Sequence, residues 1–237
     1  MSSKPIYVSG NSLEDYRKGA PLNAHQKRRI GLIERLLDSI ESLGRGLDYG
    51  CGLGDLTFIV SPRFDEIVGV DLQQERVDWA NEEFAPIEFF VCDQSTLDFP
   101  AKSFNSVLSS VVINWVEDPN AYLRNINRVL TQDGHLVLLA SAPDRVGKFL
   151  KKLRGSATDS NHDGSMPYDI RSMSRMMEEA GFTVTKIDCY YDPAEDVLTT
   201  PKNIFVEFLK LPMRLLRLKS FAQYYGVVAR KITDADH

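Results

Sequence analysis

Residues 46–55 read GLDYGCGLGD, and this stretch decides how the chain is understood. Gly50, Gly52 and Gly54 alternate directly behind Asp48. Glycine loses more conformational freedom on folding than any other residue, so clustered glycines weaken a fold unless the backbone geometry or a close neighbour requires them. Just before the turn, residues 46–48 read as the end of a short strand. After it, residues 53–60 can open a helix. A glycine turn between a strand and a helix lets a ligand reach backbone N–H groups and the positive end of the helix.

The pattern repeats outward from this point. Residues 66–70 (EIVGV) form a β-branched run that ends at Asp71, and residues 74–84 have helical character. Residues 87–92 (IEFFVC) form another strand-like run ending at Asp93. Residues 106–110 make a fourth. Asp118 followed by Pro119 is an N-cap with proline at the first helical position, and this helix runs to 130. Asp133 and Gly134 turn the chain into the apolar strand 135–140. Asp169 caps a helix that runs to 180 and is stopped by Gly181. Strands follow at 183–190 and 224–229. Upstream, Ile30, Ile33, Leu36, Leu37, Ile40 and Leu43 recur at helical spacing, which predicts a helix of about five turns from Asn23 to the glycines at 44 and 46. Strands alternating with helices predict a mostly parallel sheet covered on both faces, with ligands at the carboxyl ends of the strands.

Bulk composition narrows the class. The 237 residues are 43% hydrophobic and 26% charged, the balance of a globular α/β domain, and the net charge of −5 gives no general footprint for nucleic acid. Cys51, Cys92 and Cys189 are an odd number and read as reduced thiols of a cytoplasmic protein. The N-terminal residues lack the apolar core of a secretory signal, and no run of about 18 apolar residues predicts a membrane span. No ligand spacing for a metal is present, so none is expected.

Asp71 lies 21 residues beyond Gly50, at the end of the second strand. An acid there can accept hydrogen bonds from both ribose hydroxyls of an adenosine cofactor. That fits NAD and S-adenosylmethionine alike. The spacing G-x-G-x-G departs from the dinucleotide fingerprint G-x-G-x-x-G. An acid at position 48 would repel a pyrophosphate but suits a cofactor that carries an ammonium and a sulfonium. Asp93, ending the third strand, can accept from an adenine amino group.

Asp48 to Gly54, Val70-Asp71, Cys92-Asp93, FPAKSFNSVLSSVVINWVEDP (99–119) and NRVLTQDGHLVL (127–138) together resemble class I S-adenosylmethionine-dependent methyltransferases. The subgroup is similar to the small-molecule enzymes of ubiquinone and menaquinone biosynthesis, and the likeness covers residues 25–190. It implies a Rossmann-like, seven-stranded, mostly parallel sheet with helices on both faces and an antiparallel last strand. It also implies S-adenosyl-L-methionine as cofactor. By position, Asp48, Gly50, Gly52 and Gly54 would cradle the methionyl part, and Asp71 the ribose. Leu72 would pack on adenine, Asp93 and Gln94 would border it, and Ser109 would contact the cofactor by backbone or hydroxyl. Asn105 replaces an aspartate common before the fourth strand. Asn114-Trp115 replaces a His-aromatic or His-His pair.

The acceptor side is expected in the additions to this core. One domain would comprise an arm (1–29), the cofactor-binding core (30–192), a cap insertion (193–220) and the last strand (221–231). Tyr16 or Arg17 of the arm could reach the cofactor carboxylate. Asn114, Trp115, Tyr168, Phe205 and Phe208 are candidates for the acceptor pocket, and His162, with Asp163 or Tyr168, is the candidate general base. Between 197 and 231 seven basic residues face one acid, Glu207, amid bulky apolar residues. This reads as a cap over the acceptor, with peripheral membrane contact through 197–219 as the alternative. The expected activity is methyl transfer to a small-molecule or lipid-linked acceptor. An interaction subunit built on the same fold, or an RNA methyltransferase, are the other readings.

Overall fold

The computed structural model describes residues 24–93, 97–143, 166–190 and 224–232. The elements are α1 (Ala24–Leu37), β1 (Arg45–Tyr49), α2 (Asp55–Val60), β2 (Glu66–Asp71), α3 (Gln74–Glu83), β3 (Glu88–Val91), β4 (Phe104–Ser110), α4 (Pro119–Val129), β5 (Leu130–Ser141), α5 (Ile170–Glu179), β6 (Phe182–Tyr190) and β7 (Tyr224–Lys231). The strands form one seven-stranded sheet in the order β3-β2-β1-β4-β5-β7-β6. β1 pairs in parallel with β2 and β4, β2 with β3, and β4 with β5. β7 is antiparallel to both β5 and β6. The chain winds outward from β1 to β3 and then restarts at β4 on the other side of β1. That reversal opens a crevice beyond the carboxyl ends of β1 and β4.

Alternation along β5 builds a core on each face of the sheet. On one face Leu136, Leu138 and Ala140 of β5 pack with Tyr122, Leu123 and Ile126 of α4 and Met173 and Met177 of α5. On the other, Val137 and Leu139 of β5 pack with Leu32, Ile33, Leu36 and Leu37 of α1 and Leu56 and Val60 of α2. A side-chain period of two assigns neighbouring residues of one strand to opposite faces.

Both expected helix caps form. Asp118 accepts from the amides of Asn120 and Ala121, and Asp169 from that of Ser172. Gly181, at φ 83°, follows the end of α5. The expected five-turn first helix is shorter. It spans 14 residues, about 21 Å by its rise per residue. Ser39 and Ile40 donate to carbonyls three residues back, and Ser39 Oγ caps the Leu36 carbonyl, so the chain tightens and leaves the helix. Ile40 and Leu43 remain buried beyond its end. Their helical spacing therefore reported burial and not conformation. Asp133 takes φ 58° and, with Gly134, interrupts β5 in register without breaking it, so that strand begins five residues before the expected 135.

α1 lies against β7 at Gly226, where a Cβ would come within 2.3 Å of Leu36 Cδ1, a fully buried atom. Gly226→Ala is therefore expected to lower stability by about 1–3 kcal/mol through overpacking. Urea unfolding of the two proteins checks this: an unchanged midpoint would mean that α1 is free to move off the sheet.

Candidate functional site

Gly50, Gly52 and Gly54 all lie in the left-handed region, at φ 84°, 61° and 85°. L side chains rarely adopt that conformation, so the turn needs three glycines for its backbone alone. Their surroundings differ. A Cβ on Gly50 would meet Val112 Cγ2 at 2.2 Å, and one on Gly54 would meet Ala80, Phe84 and Phe89 at 3.0 Å. Among the described residues, a Cβ on Gly52 would meet nothing within 4 Å. Two of the glycines thus accommodate the protein itself, and Gly52 alone borders open space. The turn is strapped to β2, since the Gly50 and Cys51 amides both donate to the Val70 carbonyl, at 2.8 and 2.9 Å.

Two carboxylates flank it. Asp48 is buried at the end of β1. Its Oδ2 accepts from Thr57 Oγ1 at 2.6 Å, while its buried Oδ1 has no hydrogen-bond partner among the described residues. Burial pushes the carboxyl up from 3.8 to about 6. The Thr57 hydrogen bond and the Arg29 guanidinium of α1 oppose the shift, and the Asp71 charge adds to it. Asp71, also buried, accepts from the Gly52 amide through Oδ2 at 2.9 Å and from the Gln73 amide through Oδ1 at 3.1 Å. Each oxygen keeps a lone pair for a further donor. A buried, half-satisfied carboxylate beside a glycine that faces open space matches a ligand presenting an ammonium group close to backbone.

The other candidates separate. Leu72 is half-buried and Asp93 exposed, both at the carboxyl ends of strands. Ser109 is fully buried and its hydroxyl is shared with Tyr122 Oη at 2.8 Å, so only its backbone is left for a ligand. Next to it, Ser110 Oγ is buried without a partner. Trp115 and Tyr168 are half-buried, and burial raises the pKa of the Tyr168 hydroxyl. Asn114, expected to line the acceptor pocket, spends its amide on the backbone of Ser141 and Met166 instead. Asn105 Oδ1 accepts from the Arg45 amide, at the opposite end of β1 from the glycine turn. Tyr16, Arg17, Gln94, His162, Phe205 and Phe208 lie outside the described residues, as do residues 1–23 of the arm and the cap insertion 193–220. Among the described residues no cluster of His, Cys, Asp or Glu could hold a metal, and no helix is long and apolar enough to cross a membrane.

Three further residues shape the site. Thr57 stands nine residues after Asp48, in the first turns of α2, and its place was readable once that helix followed the glycines. Arg29 sits within a run of basic residues with no distinguishing signal, and its Nε is buried without a partner. Val111 takes φ 67° directly after β4, held there by its amide's bond to the Leu139 carbonyl. A β-branched residue in that region costs about 1–3 kcal/mol, and such strain gathers at functional sites.

The geometry can be set beside known proteins. A family profile described as "Methyltransferase domain" matches residues 23–187. Phosphoethanolamine N-methyltransferase 1 of Arabidopsis thaliana is 27% identical over 145 residues, which is 58% of this chain and 28% of that protein. The mitochondrial arginine-hydroxylase NDUFAF5 of Rattus norvegicus is 26% identical over 173 residues, 68% of this chain and 49% of that protein. The chain thus spans less than half the length of either relative. Among solved structures, the Streptomyces coelicolor geranyl diphosphate C-methyltransferase, in complex with Mg2+, geranyl diphosphate and S-adenosyl-L-homocysteine, superposes with a TM-score of 0.64. That match covers 96% of this chain and 90% of the other at 14% identity, a likeness of fold.

The Asp48 environment has a pH signature. Its folded pKa is raised, so the folded state holds a proton that the unfolded chain has released between about pH 4 and 6. Stability without ligand should fall as pH rises through that window, and the loss should persist above it. Asp48→Asn should remove this slope and be the more stable protein at neutral pH, yet bind S-adenosylhomocysteine more than about tenfold more weakly. Thermal melts across pH, with calorimetry at neutral pH, test both; a less stable Asn variant would show that the buried charge is already compensated.

Proposed function

The chain belongs to the methyltransferase-domain family of class I, S-adenosylmethionine-dependent enzymes, and from that premise we propose that it transfers a methyl group to a small-molecule or lipid-linked acceptor. The observation that carries the reading is the unpartnered Asp48 oxygen beside the open face of Gly52. The cofactor, when bound, supplies a methyl group already activated on a sulfonium. The residues hold it. Asp48 takes the ammonium, and Gly52 admits the methionyl chain against its backbone. Asp71 accepts from the ribose hydroxyls, and Leu72 and Asp93 border the adenine. Arg29, buried at its Nε and close enough to act on Asp48, is placed to receive the carboxylate, a task the sequence suggested for Tyr16 or Arg17.

No general base is needed if the acceptor is already deprotonated at working pH, and positioning alone can then supply much of the rate, about 7–11 kcal/mol in well-oriented systems. His162 is the proposed base where a proton must leave. In this reading residues 30–192, with Arg29, carry the cofactor, while the rest of the arm and 193–220 select the acceptor, in the manner of the ubiquinone and menaquinone enzymes the sequence resembles. A second reading is cofactor binding without methyl transfer. It is favoured by the relative named an arginine-hydroxylase, since a shared fold does not fix a reaction.

Two measurements divide these readings. Asp71→Ala should weaken S-adenosylhomocysteine binding by more than about tenfold in calorimetry while the protein stays folded, since two charge-assisted hydrogen bonds are lost. Its thermal midpoint should drop somewhat, because the Gly52 amide loses its acceptor too. Gly52→Val should abolish binding. Normal affinity in a folded Val variant would mean that the glycines serve the turn alone. Transfer of label from methyl-labelled S-adenosylmethionine into lipid, small-molecule, RNA or protein fractions then identifies the acceptor class. Tight binding with no labelled product would favour the second reading.

A further inference from the structure

Asn114 joins three segments at the carboxyl edge of the sheet. Its Nδ2 donates to the Met166 carbonyl at 2.8 Å and to the Ser141 carbonyl at 3.3 Å, and its Oδ1 accepts from the Ser141 amide at 2.9 Å. The Met166 amide returns a bond to the Asn114 carbonyl at 2.7 Å. Ser141 ends β5, and Met166 lies on the approach to α5. These partners are 27 and 52 residues away in the chain. Asn114 is almost completely buried, so no water competes for its amide.

The bonds leave the chemistry little freedom. A carboxamide offers two donors and an acceptor in one plane, and all three are used here. Aspartate would set a second oxygen against two carbonyls, and alanine would leave the Ser141 amide and two carbonyls without this partner. Trp115 follows Asn114 directly, its amide bonded to the Val112 carbonyl at 2.9 Å. Tyr168 stands two residues after Met166. Trp115 and Tyr168 are the described residues expected at the acceptor, and they sit on the two loops that Asn114 ties together.

We propose that Asn114 is a positioning residue for the acceptor: through the backbone of Ser141 and Met166 it holds Trp115 and Tyr168 at a fixed separation, and it takes no part in holding the cofactor. The inference rests on the methyltransferase reading above.

The wild-type protein gives the first check. The Met166 amide should be protected from hydrogen exchange; exchange at the rate of a free peptide would end the proposal. The second check uses Asn114→Ala and Asn114→Asp in a Trp79→Phe background, where Trp115 is the only tryptophan left of the two in the chain. Both variants should exchange the Met166 amide roughly tenfold faster and expose Trp115 fluorescence to iodide quenching. S-adenosylhomocysteine affinity should stay within about twofold. In labelled methyl transfer to a metabolite extract, the extract concentration giving half-maximal rate should rise several-fold with the plateau retained. Loosened Met166 and Trp115 with an unchanged half-saturation would reduce Asn114 to a structural tie and overturn the proposal. A parallel loss of S-adenosylhomocysteine affinity would overturn it as well, by assigning the residue to the cofactor. A wild type that binds S-adenosylhomocysteine yet labels no fraction would refute the methyltransferase reading, and the acceptor role with it. A wild type that does transfer isolates any failure to Asn114.

Discussion

The carboxylate of Asp48 is held almost entirely out of water with only one of its oxygens bonded, and much of the surrounding structure follows from that constraint. A buried charge is costly unless it is paired and hydrogen-bonded. Here the compensation is partial. Thr57 supplies one hydroxyl, Arg29 supplies a positive field from α1, and Asp71 works against both. Leucine or valine would be more stable at the end of a central strand. The position makes sense when the missing partner is a cationic ligand, because a ligand that binds only the folded state adds back the stability that the site gives up. In the proposed reading, a ligand group drawn to Asp48 would pass Gly52, where no described side chain stands in the way.

Asp71 couples this charge to the frame. By accepting from the Gly52 amide it ties the middle of the glycine turn to the end of β2, and by accepting from the Gln73 amide it shapes the entry to α3. One carboxylate therefore sets the position of the turn and the start of the helix after β2. A group with both duties is rigid in a way that a freely rotating surface acid is not, which is what pre-organised recognition requires.

The sequence carried the architecture well, because its signals are local. Strand ends were marked by Asp71 and Asp93, helix starts by Asp118 and Asp169, and a helix stop by Gly181. Each acts through atoms within a few residues of itself. The glycine turn was legible as a turn for the same reason. The separate duties of its glycines were not, since Gly50 answers to Val112 and Gly54 to Phe84 and Phe89, neighbours that only the fold provides. Ser109 was read from its place near the end of β4 as a contact by backbone or hydroxyl, and the hydroxyl's bond to Tyr122, one helix further on, was not legible. Asn114 was read from its place after the strand, while its true partners lie 27 and 52 residues downstream. Arg29 gave no sign at all: in a basic stretch of an amphipathic helix, nothing separates the one guanidinium near a buried carboxylate from its solvated neighbours.

The two halves of the sheet meet where β1 pairs with β4, and the turns beyond those strands interlock. Val112, on the turn after β4, occupies the volume that a side chain on Gly50 would need. Val111, immediately before it, is held in a left-handed conformation by the Leu139 carbonyl of β5. The strained turn is thus fixed from behind by β5 and in front by the glycine turn, and Asn114 anchors its far end to Ser141 and Met166. Asp48 and Asp71 stand at the ends of β1 and β2, and the segments after β4 and before α5 carry Trp115 and Tyr168. Because Val112 fills the space over Gly50, the rim is registered against the glycine turn by direct packing. Close-packed groups transmit displacement, since there is no void to absorb it. An in-line displacement tolerates little error in the position of the attacking atom. A fold that binds the cofactor on one side of this contact and the acceptor on the other would meet that tolerance through the contact itself, and the strain at Val111 is then the local cost of holding the two sides in register.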